Sequence, residues 1–318
     1  MKCLITGGQG FVGHNLIHRL RERFLNNGTE PSPSDSVIVS VDNLSTGNEE
    51  HKWKHPDIFY HTFDVVRQNL KELHFIPDVI FHLAATARIQ PSFQFPAEVV
   101  HNNIESTINV LEFARLNGNI PVIFAGSSSI HTGYLENPYT FSKAMCEDAC
   151  RLYSKLYDVP TTITRFYNVY GPYMIDGTSP YATVLSIFEK QCMEGGPFII
   201  TSDGEQRRDF THVNDICDGL IACIGRLNDR AEEFEFGRGE NYSINEIVTM
   251  FDPNGKLERV YVSTRLGEAR DTLTLSEKAR KELGYNPTGD VEEFILVRVY
   301  HSLMERLKEY SERGVPGW

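Results

Sequence analysis

A phenol and an ammonium one helical turn apart are the groups best spaced to do chemistry in this chain. Of its fourteen tyrosines, Tyr139 alone has a lysine four positions on, in Pro138-Tyr139-Thr140-Phe141-Ser142-Lys143. On a helix, positions i and i+4 share a face, so both groups can meet one reacting centre. A free phenol, with a pKa of ~10, is a reluctant base at neutral pH. A nearby ammonium favours the phenolate, and a drop of ~3 pKa units corresponds to ~4 kcal/mol of charge stabilisation. Upstream, Phe124-Ala125-Gly126-Ser127-Ser128-Ser129-Ile130-His131-Thr132-Gly133 supplies hydroxyls that can hold the oxygen losing its proton. The chemistry that suits is general-base removal of a proton from an alcohol.

A second constellation lies at the amino end. Thr6-Gly7-Gly8-Gln9-Gly10-Phe11-Val12-Gly13 follows the apolar run Cys3–Thr6 and opens a helical pattern. Gly7, Gly10 and Gly13 permit a tight turn, close approach of backbone to a pyrophosphate, and close packing of helix on sheet. The helix start at Phe11 and Val12 then turns free N–H groups towards the phosphates. Asp42 closes Val37-Ile38-Val39-Ser40-Val41, where a carboxylate would accept hydrogen bonds from an adenosine ribose. It comes later than the usual ~20 residues past the glycines, and the polar stretch Asn26–Ser36, read as a surface insertion, accounts for the delay. A carboxylate repels a 2′-phosphate, and no arginine follows in Asn43-Leu44-Ser45-Thr46-Gly47. The expected cofactor is therefore NAD, with Asn43, Ser45, Thr46 and Gly47 in its binding loop. Its positive nicotinamide ring would join Lys143 in favouring the phenolate.

These residues need a scaffold that brings strand ends together. Apolar runs at Cys3–Thr6, Val37–Val41, Val79–Leu83 and Val122–Ala125 suit buried strands, and Thr161–Phe166 reads as a further strand after the helix Ser142–Tyr157. Helical spacing marks Phe11–Phe24, Val99–Leu116 and Ser142–Tyr157. Strands alternating with helices predict an α/β fold, a Rossmann doubly wound parallel sheet covered on both faces. After Gly171 the alternation gives way to turns at Gly171-Pro172, Asp176-Gly177, Gly195-Gly196-Pro197 and Asp203-Gly204 around a helix at Tyr181–Met193. Further helices are expected at Val213–Leu227, Ser243–Phe251, Ser276–Leu283 and Val291–Leu307. The division this predicts is a cofactor-binding domain, 1–170 plus about 213–235, and a smaller mixed α/β substrate-binding domain, 171–212 and 236–318.

Composition narrows the classes. At 318 residues the chain can bury a sizeable core. Its formal net charge of −12 disfavours nucleic-acid binding, which needs lysine and arginine patches. Six scattered cysteines without a C-x-x-C pair suit a reducing, cytoplasmic setting and no metal site. The amino terminus runs straight into a strand pattern, so neither signal peptide nor membrane anchor is expected.

The spacing Gly7-x-x-Gly10-x-x-Gly13 resembles that of the extended short-chain dehydrogenase/reductases, and further motifs share the likeness. Asp64-Val65 is similar to that family's adenine-contacting pair. His82-Leu83-Ala84-Ala85 resembles its strand end beside the cofactor, and Asn102-Asn103 with Thr107-x-Asn109-Val110-Leu111-Glu112 its next helix. The resemblance implies cofactor contacts from Asp64, Val65, Leu83, Ala84, Ala85 and Asn102, and catalysis by Tyr139, Lys143 and a serine. Counting back from Gly133 gives Ser128, with Ser129 as the alternative. Arg165-Phe166-Tyr167-Asn168-Val169-Tyr170-Gly171-Pro172 is close to a stretch of sugar-nucleotide epimerases and dehydratases. It implies Phe166 and Tyr167 beside the nicotinamide and sugar, and Asn168 on the diphosphate. Arg208, in Asp203–Asp215, and Arg265 with Glu268, in Arg265-Leu266-Gly267-Glu268, are implied as diphosphate and ribose ligands. Two departures concern the mouth of the site: His131-Thr132 stands where Val-Tyr is usual, and the serine-to-tyrosine loop is short.

The positions after Ser128 carry no carboxylate, unlike the family's dehydratases and decarboxylases. The expectation is therefore NAD-dependent C4 epimerisation of a UDP-sugar, UDP-glucose/UDP-galactose or the N-acetylhexosamine pair, through a 4-keto intermediate. A uronate substrate stays open. The alternatives are a dehydratase or decarboxylase on the same frame, or a catalytically dead NAD-binding regulator. The resemblance also implies a homodimer through Val99–Leu116 and Ser142–Tyr157.

Overall fold

The computed structural model describes residues 1–25, 36–227 and 231–312. Apart from Ser36, the expected insertion Asn26–Ser36 lies outside them. In chain order the first unit runs β1 (Lys2–Thr6), α1 (Phe11–Phe24), β2 (Val37–Asp42), β3 (Ile58–Thr62), β4 (Val79–His82), α2 (Ile89–Gln94), α3 (Pro96–Leu116), β5 (Val122–Ser127), α4 (Pro138–Tyr157) and β6 (Thr161–Phe166). There follow β7 (Val169–Tyr170), α5 (Val184–Glu194), β8 (Phe198–Thr201), β9 (Arg207–Arg208), β10 (Thr211–His212), α6 (Val213–Ala222), β11 (Glu232–Phe236), β12 (Tyr242–Ser243), α7 (Ile244–Phe251), β13 (Arg259–Val262), α8 (Glu277–Leu283) and α9 (Val291–Glu312).

Seven strands form one parallel sheet in the order β11-β6-β5-β4-β1-β2-β3, the doubly wound architecture the alternation predicts. Strand order reverses between β1 and β4, so their carboxyl ends open the crevice where such sheets bind ligands. Cys3, Ile5, Phe81 and Phe234 point to one face and pack with Leu16, Ile17 and Leu20 of α1 and Ile216 and Leu220 of α6. Leu4, Val39, Ile80 and Phe124 point to the other, against Val110 and Leu111 of α3 and Cys146 and Cys150 of α4. A third core, with Tyr170, Leu185, Phe188, Phe198, Ile247, Phe251 and Ile295, gathers α5, α7, α9 and β8.

Several expectations shift. Strands β3 and β11 were not anticipated, because IFYHT and EEFEF lie at sheet edges, are only partly buried and carry no continuous apolar run. The active-site helix starts at Pro138 rather than Ser142, since Asn137 caps it by accepting from the Thr140 N–H at 2.8 Å and Pro138 takes the first turn. The helix expected from Tyr181 starts at Val184 under a Thr183 cap, and that expected over Val213–Leu227 is α-helical only to Ala222. Phe236, Ala279 of α8 and Tyr285 pack into the sheet's core rather than the third one.

Behind the sheet's β11 edge sits a buried ionic cluster. The Arg165 guanidinium on β6 donates to Glu147 of α4 at 2.6 and 3.0 Å, to Glu233 at 2.8 Å and to Glu235 at 3.0 Å. Gly126 makes room for it, as a Cβ there would lie 2.8 Å from Glu147 Oε1. Glu147 is 1% exposed, so removing Arg165 leaves that buried carboxylate with Arg151 alone, at 3.0 Å, a cation it shares with Asp148 and Glu233. Arg165→Met is expected to destabilise the protein by roughly 3–5 kcal/mol in urea unfolding. A loss below ~1 kcal/mol would mean that the cluster is solvated like a surface pair.

Candidate functional site

The glycine turn between β1 and α1 lies on the end of β4. Gly7 has φ +72°, and a Cβ there would come 2.8 Å from the Ala84 nitrogen, while one on Gly13 would come 2.2 Å from the Gly7 carbonyl oxygen. No side chain can occupy either place, so bare backbone and the N–H groups of Phe11 and Val12 at the start of α1 face the crevice. Gly10 is the helix's N-cap. Asp42, ending β2, accepts from the Gln9 N–H at 3.0 Å and the Leu44 N–H at 2.9 Å, fixing the glycine turn beside the 43–47 loop. Gly47 folds back on it, since a Cβ there would lie 2.7 Å from Asp42 Oδ1. Asn43, Ser45 and Thr46 are exposed on that loop. Asp64 is partly buried and accepts from the Val66 N–H at 2.9 Å, and buried Val65 gives its carbonyl to Asn109 Nδ2. This bare cradle with a carboxylate at its rim fits a dinucleotide.

Beyond β4, a relay absent from the sequence reasoning fixes the loop holding Leu83, Ala84 and Ala85. His82 pairs with Thr6 Oγ1 at 2.8 Å and Thr107 Oγ1 at 3.1 Å, and the Ala84 N–H donates to Thr6 Oγ1 at 3.2 Å. Thr107 donates to the Asn103 carbonyl, so consistency makes His82 Nε2 the protonated nitrogen. Asn103, 2% exposed, takes the Thr86 N–H at 2.7 Å and reaches Ser142 Oγ at 2.9 Å, stapling the loop to α4. Neighbouring Asn102 donates to Thr86 Oγ1 at 3.5 Å. The signal available was Asn103 falling on the buried face of α3.

The structure brings the serine turn and α4 together at the carboxyl end of β5. Lys143, 4% exposed, donates to the Ala125 carbonyl at 2.7 Å and lies 4.8 Å over the Phe124 ring. Ser129 pairs with Ser127 at 2.9 Å. The hydroxyls of Ser128 and Tyr139 bond to no described residue, leaving Ser128 the freer of the two candidate serines. Arg88, on the loop after β4, lies close enough to the Tyr139 side chain for a negative charge on that oxygen to favour the guanidinium. His131 turns to Glu235 at 2.9 Å, which raises the pKa of its imidazole.

Across the crevice, Arg208, Arg265 and Glu268 converge. Glu268 lies 3.8 Å from each guanidinium and 3.5 Å from Gln90 Nε2. Arg208 is largely buried and desolvation lowers its pKa, whereas Arg265 is exposed. Asn168 donates to Thr272 Oγ1 at 3.0 Å and the Asp209 carbonyl at 3.3 Å. Phe166 is partly buried and stacks towards Phe236. Tyr167 turns inward, 5% exposed, and burial, with the Glu235 carboxylate close by, raises the pKa of its phenol. It stands apart from the other site residues, because successive side chains on an extended chain alternate sides. Among the described residues no group of three His, Cys, Asp or Glu could hold a metal ion, and no helix is long and apolar enough to cross a membrane.

Comparison with known proteins agrees with this geometry. The NAD dependent epimerase/dehydratase family matches residues 3–237. A putative UDP-glucose 4-epimerase of Methanocaldococcus jannaschii is 31% identical over 309 residues, 92% of this chain and 95% of that protein. A UDP-N-acetyl-alpha-D-glucosaminuronate decarboxylase of Bacillus cytotoxicus is 30% identical over 268 residues, 78% of each chain. The crystal structure of the Thermotoga maritima UDP-glucose 4-epimerase with UDP-glucose superposes with a TM-score of 0.83 at 26% identity, covering 96% of this chain and 100% of that one.

The relay carries a pH dependence. Burial, seconded by the Lys143 ammonium, lowers the His82 pKa from 6.5 to about 3. A folded-state value below the unfolded one means that its contribution is whole above pH ~6.5 and lost as pH falls from there through about 3. Unfolding free energies from urea titration should fall between pH 7 and pH 5 by up to ~1.4 kcal/mol per pH unit below ~6.5, and less in His82→Asn. Equal slopes in both proteins would rule the relay out as the cause.

Proposed function

Since the chain belongs to the NAD-dependent epimerase/dehydratase family, and as such modifies nucleotide sugars with NAD, we propose that it inverts C4 of a UDP-linked sugar through a transient 4-keto form. The observation that carries this reading is that Tyr139 lies one helical turn before a buried lysine, Lys143, bonded to the end of the strand that leads into Ser128, while neither hydroxyl bonds to a described residue. NAD supplies a reversible acceptor for the hydride on the carbinol carbon. Gly7, Gly10, Phe11, Val12 and Gly13 hold its pyrophosphate, and Asp42 with Asn43, Ser45, Thr46 and Gly47 holds its adenosine ribose. Asp64 and Val65 meet the adenine, while Leu83, Ala84, Ala85, Asn102 and Phe166 line its remaining length.

Tyr139 takes the proton of the sugar 4-hydroxyl onto its phenolic oxygen and later returns it. Ser128 holds the same sugar oxygen. Lys143 keeps one N–H on the Ala125 carbonyl, and its charge, with two further N–H groups, serves the phenolate and the cofactor ribose. The two arginines, Arg208 and Arg265, take the substrate diphosphate by fork-like hydrogen bonds, with Asn168 beside them and Glu268 for the nucleoside ribose. Elimination of water, or loss of carbon dioxide, would use an added acid or base beside the serine. Ser129 and Ile130 there carry none, which favours inversion alone. We assign cofactor binding to 1–170 with about 213–235, and nucleotide-sugar binding to the third core and its loops.

We also propose a homodimer through the outer faces of α3 and α4. Leu116, Leu152, Leu156 and Tyr157 stay exposed there, a surface that soluble monomers seldom leave bare.

The test of the reaction is incubation with UDP-glucose, UDP-galactose, their N-acetyl forms and UDP-glucuronate, followed by NMR. A changed C4 configuration is expected. Loss of mass would replace the reading with dehydration or decarboxylation, and NAD binding without turnover would replace it with a regulator. Tyr139→Phe should lower kcat by ~10²–10⁴ with NAD content retained, whereas unchanged turnover excludes Tyr139 as the base. Sedimentation should show a dimer at micromolar concentration that Leu152→Glu/Leu156→Glu dissociates; a wild-type monomer refutes the interface.

A further inference from the structure

Arginines in this acidic chain are generally matched. Arg165 has three carboxylates, Arg208 has Glu268, and Arg151 has Glu147, Asp148 and Glu233. Arg88 differs. Its Nε donates to the Tyr181 carbonyl at 2.9 Å, and its two terminal nitrogens bond to no described residue. No described carboxylate pairs with it, and its partial burial lowers its pKa. A partly buried cation without a counter-charge is costly to keep.

The backbone is arranged to hold that cation where it is. Arg88 precedes α2 with φ +99° and ψ 136°, outside the regions a side chain prefers, and glycine would be the unstrained choice. Two residues earlier, Thr86 is stapled to Asn103 through both its N–H and its carbonyl. The Tyr181 carbonyl, just before α5, grips the guanidinium from the opposite side of the crevice. A strained backbone, an anchored Nε and a free fork make a receptor for a planar oxyanion.

Its position says which part of a substrate it meets. If Tyr139 addresses the C4 hydroxyl, the substituents on the two adjacent ring carbons, C3 and C5, come within reach of a group beside that phenol, and of these only C5 bears an exocyclic carbon that can be a carboxylate. We propose that Arg88 receives a carboxylate borne on C5, so that this site selects nucleotide-linked hexuronates over neutral hexoses. The inference rests on the assignment of Tyr139 to the 4-hydroxyl. Neither the glycine turn nor Arg208 distinguishes the two substrate classes, because both face parts common to them.

The test is calorimetric titration of NAD-loaded protein with UDP-glucuronate and UDP-glucose, alongside Arg88→Met and Arg88→Lys. A charge-assisted pair predicts that wild-type protein binds UDP-glucuronate about 10–100-fold more tightly. Arg88→Met should erase that difference while leaving UDP-glucose affinity unchanged within about threefold, and Arg88→Lys should restore part of it. No preference in wild-type protein overturns the proposal, as does an Arg88→Met loss equal for both ligands, which would mark Arg88 as a residue acting through Tyr139. Should Arg88→Met not fold, the wild-type preference and Arg88→Lys still decide. A uronate preference without C4 inversion would sink the epimerase reading alone; inversion of UDP-glucose without a preference would sink this one alone.

Discussion

The cleft depends on a contact that has no side chain in it. Where strand order reverses, the turn after β1 lies against the end of β4 so closely that a Cβ on Gly7 would overlap the Ala84 backbone. That approach brings the start of α1, the Asp42 carboxylate and the loop from Leu83 to Arg88 to one crevice. The hydrogen bonds around it then act as spacers. Thr6, His82 and Thr107 set the height of the β4 end, and Asn103 sets its distance from the helix carrying Tyr139 and Lys143. Buried polar groups of this kind are unforgiving, since each lost partner leaves another unsatisfied.

Much of this was legible in the sequence, for identifiable reasons. Apolar runs located β1, β2, β4 and β5 because strands covered on both faces carry no alternation, and β6 was legible as the extended stretch following a helix. The glycine spacing and the Tyr139–Lys143 pair were visible because each is local, within one turn of chain. What escaped was edge, cap or long-range. Strands β3 and β11 are partly solvated, α2 contains Pro91, and α4 begins earlier because Asn137 caps it. The Thr6–His82–Thr107 relay joins residues far apart in sequence. Arg88 carries no signal in the sequence, because its strained backbone and missing counter-charge exist only once the chain is folded.

Charge is distributed by purpose in this acidic molecule. The Arg165 cluster is saturated with carboxylates and fixes α4 against β6 and β11. The guanidiniums facing the crevice are undersupplied: Arg208 and Arg265 share Glu268 at 3.8 Å, and Arg88 has no carboxylate. An anionic ligand therefore meets cations whose hydration has already been partly stripped, inside a molecule whose overall field repels anions.

The place of β11 has a consequence for how the chain is made. It completes the sheet beside β6, yet it is synthesised only after the whole stretch from β7 to α6. Until then β6 is an unpaired margin, with Arg165 on it lacking Glu233 and Glu235. A ribosome-bound nascent chain would present an open strand and a half-matched cation, the kind of surface that recruits chaperones or pairs with a neighbouring copy. Three glutamates in EEFEF make the last strand itself a poor template for such pairing, so the hazard ends when it docks.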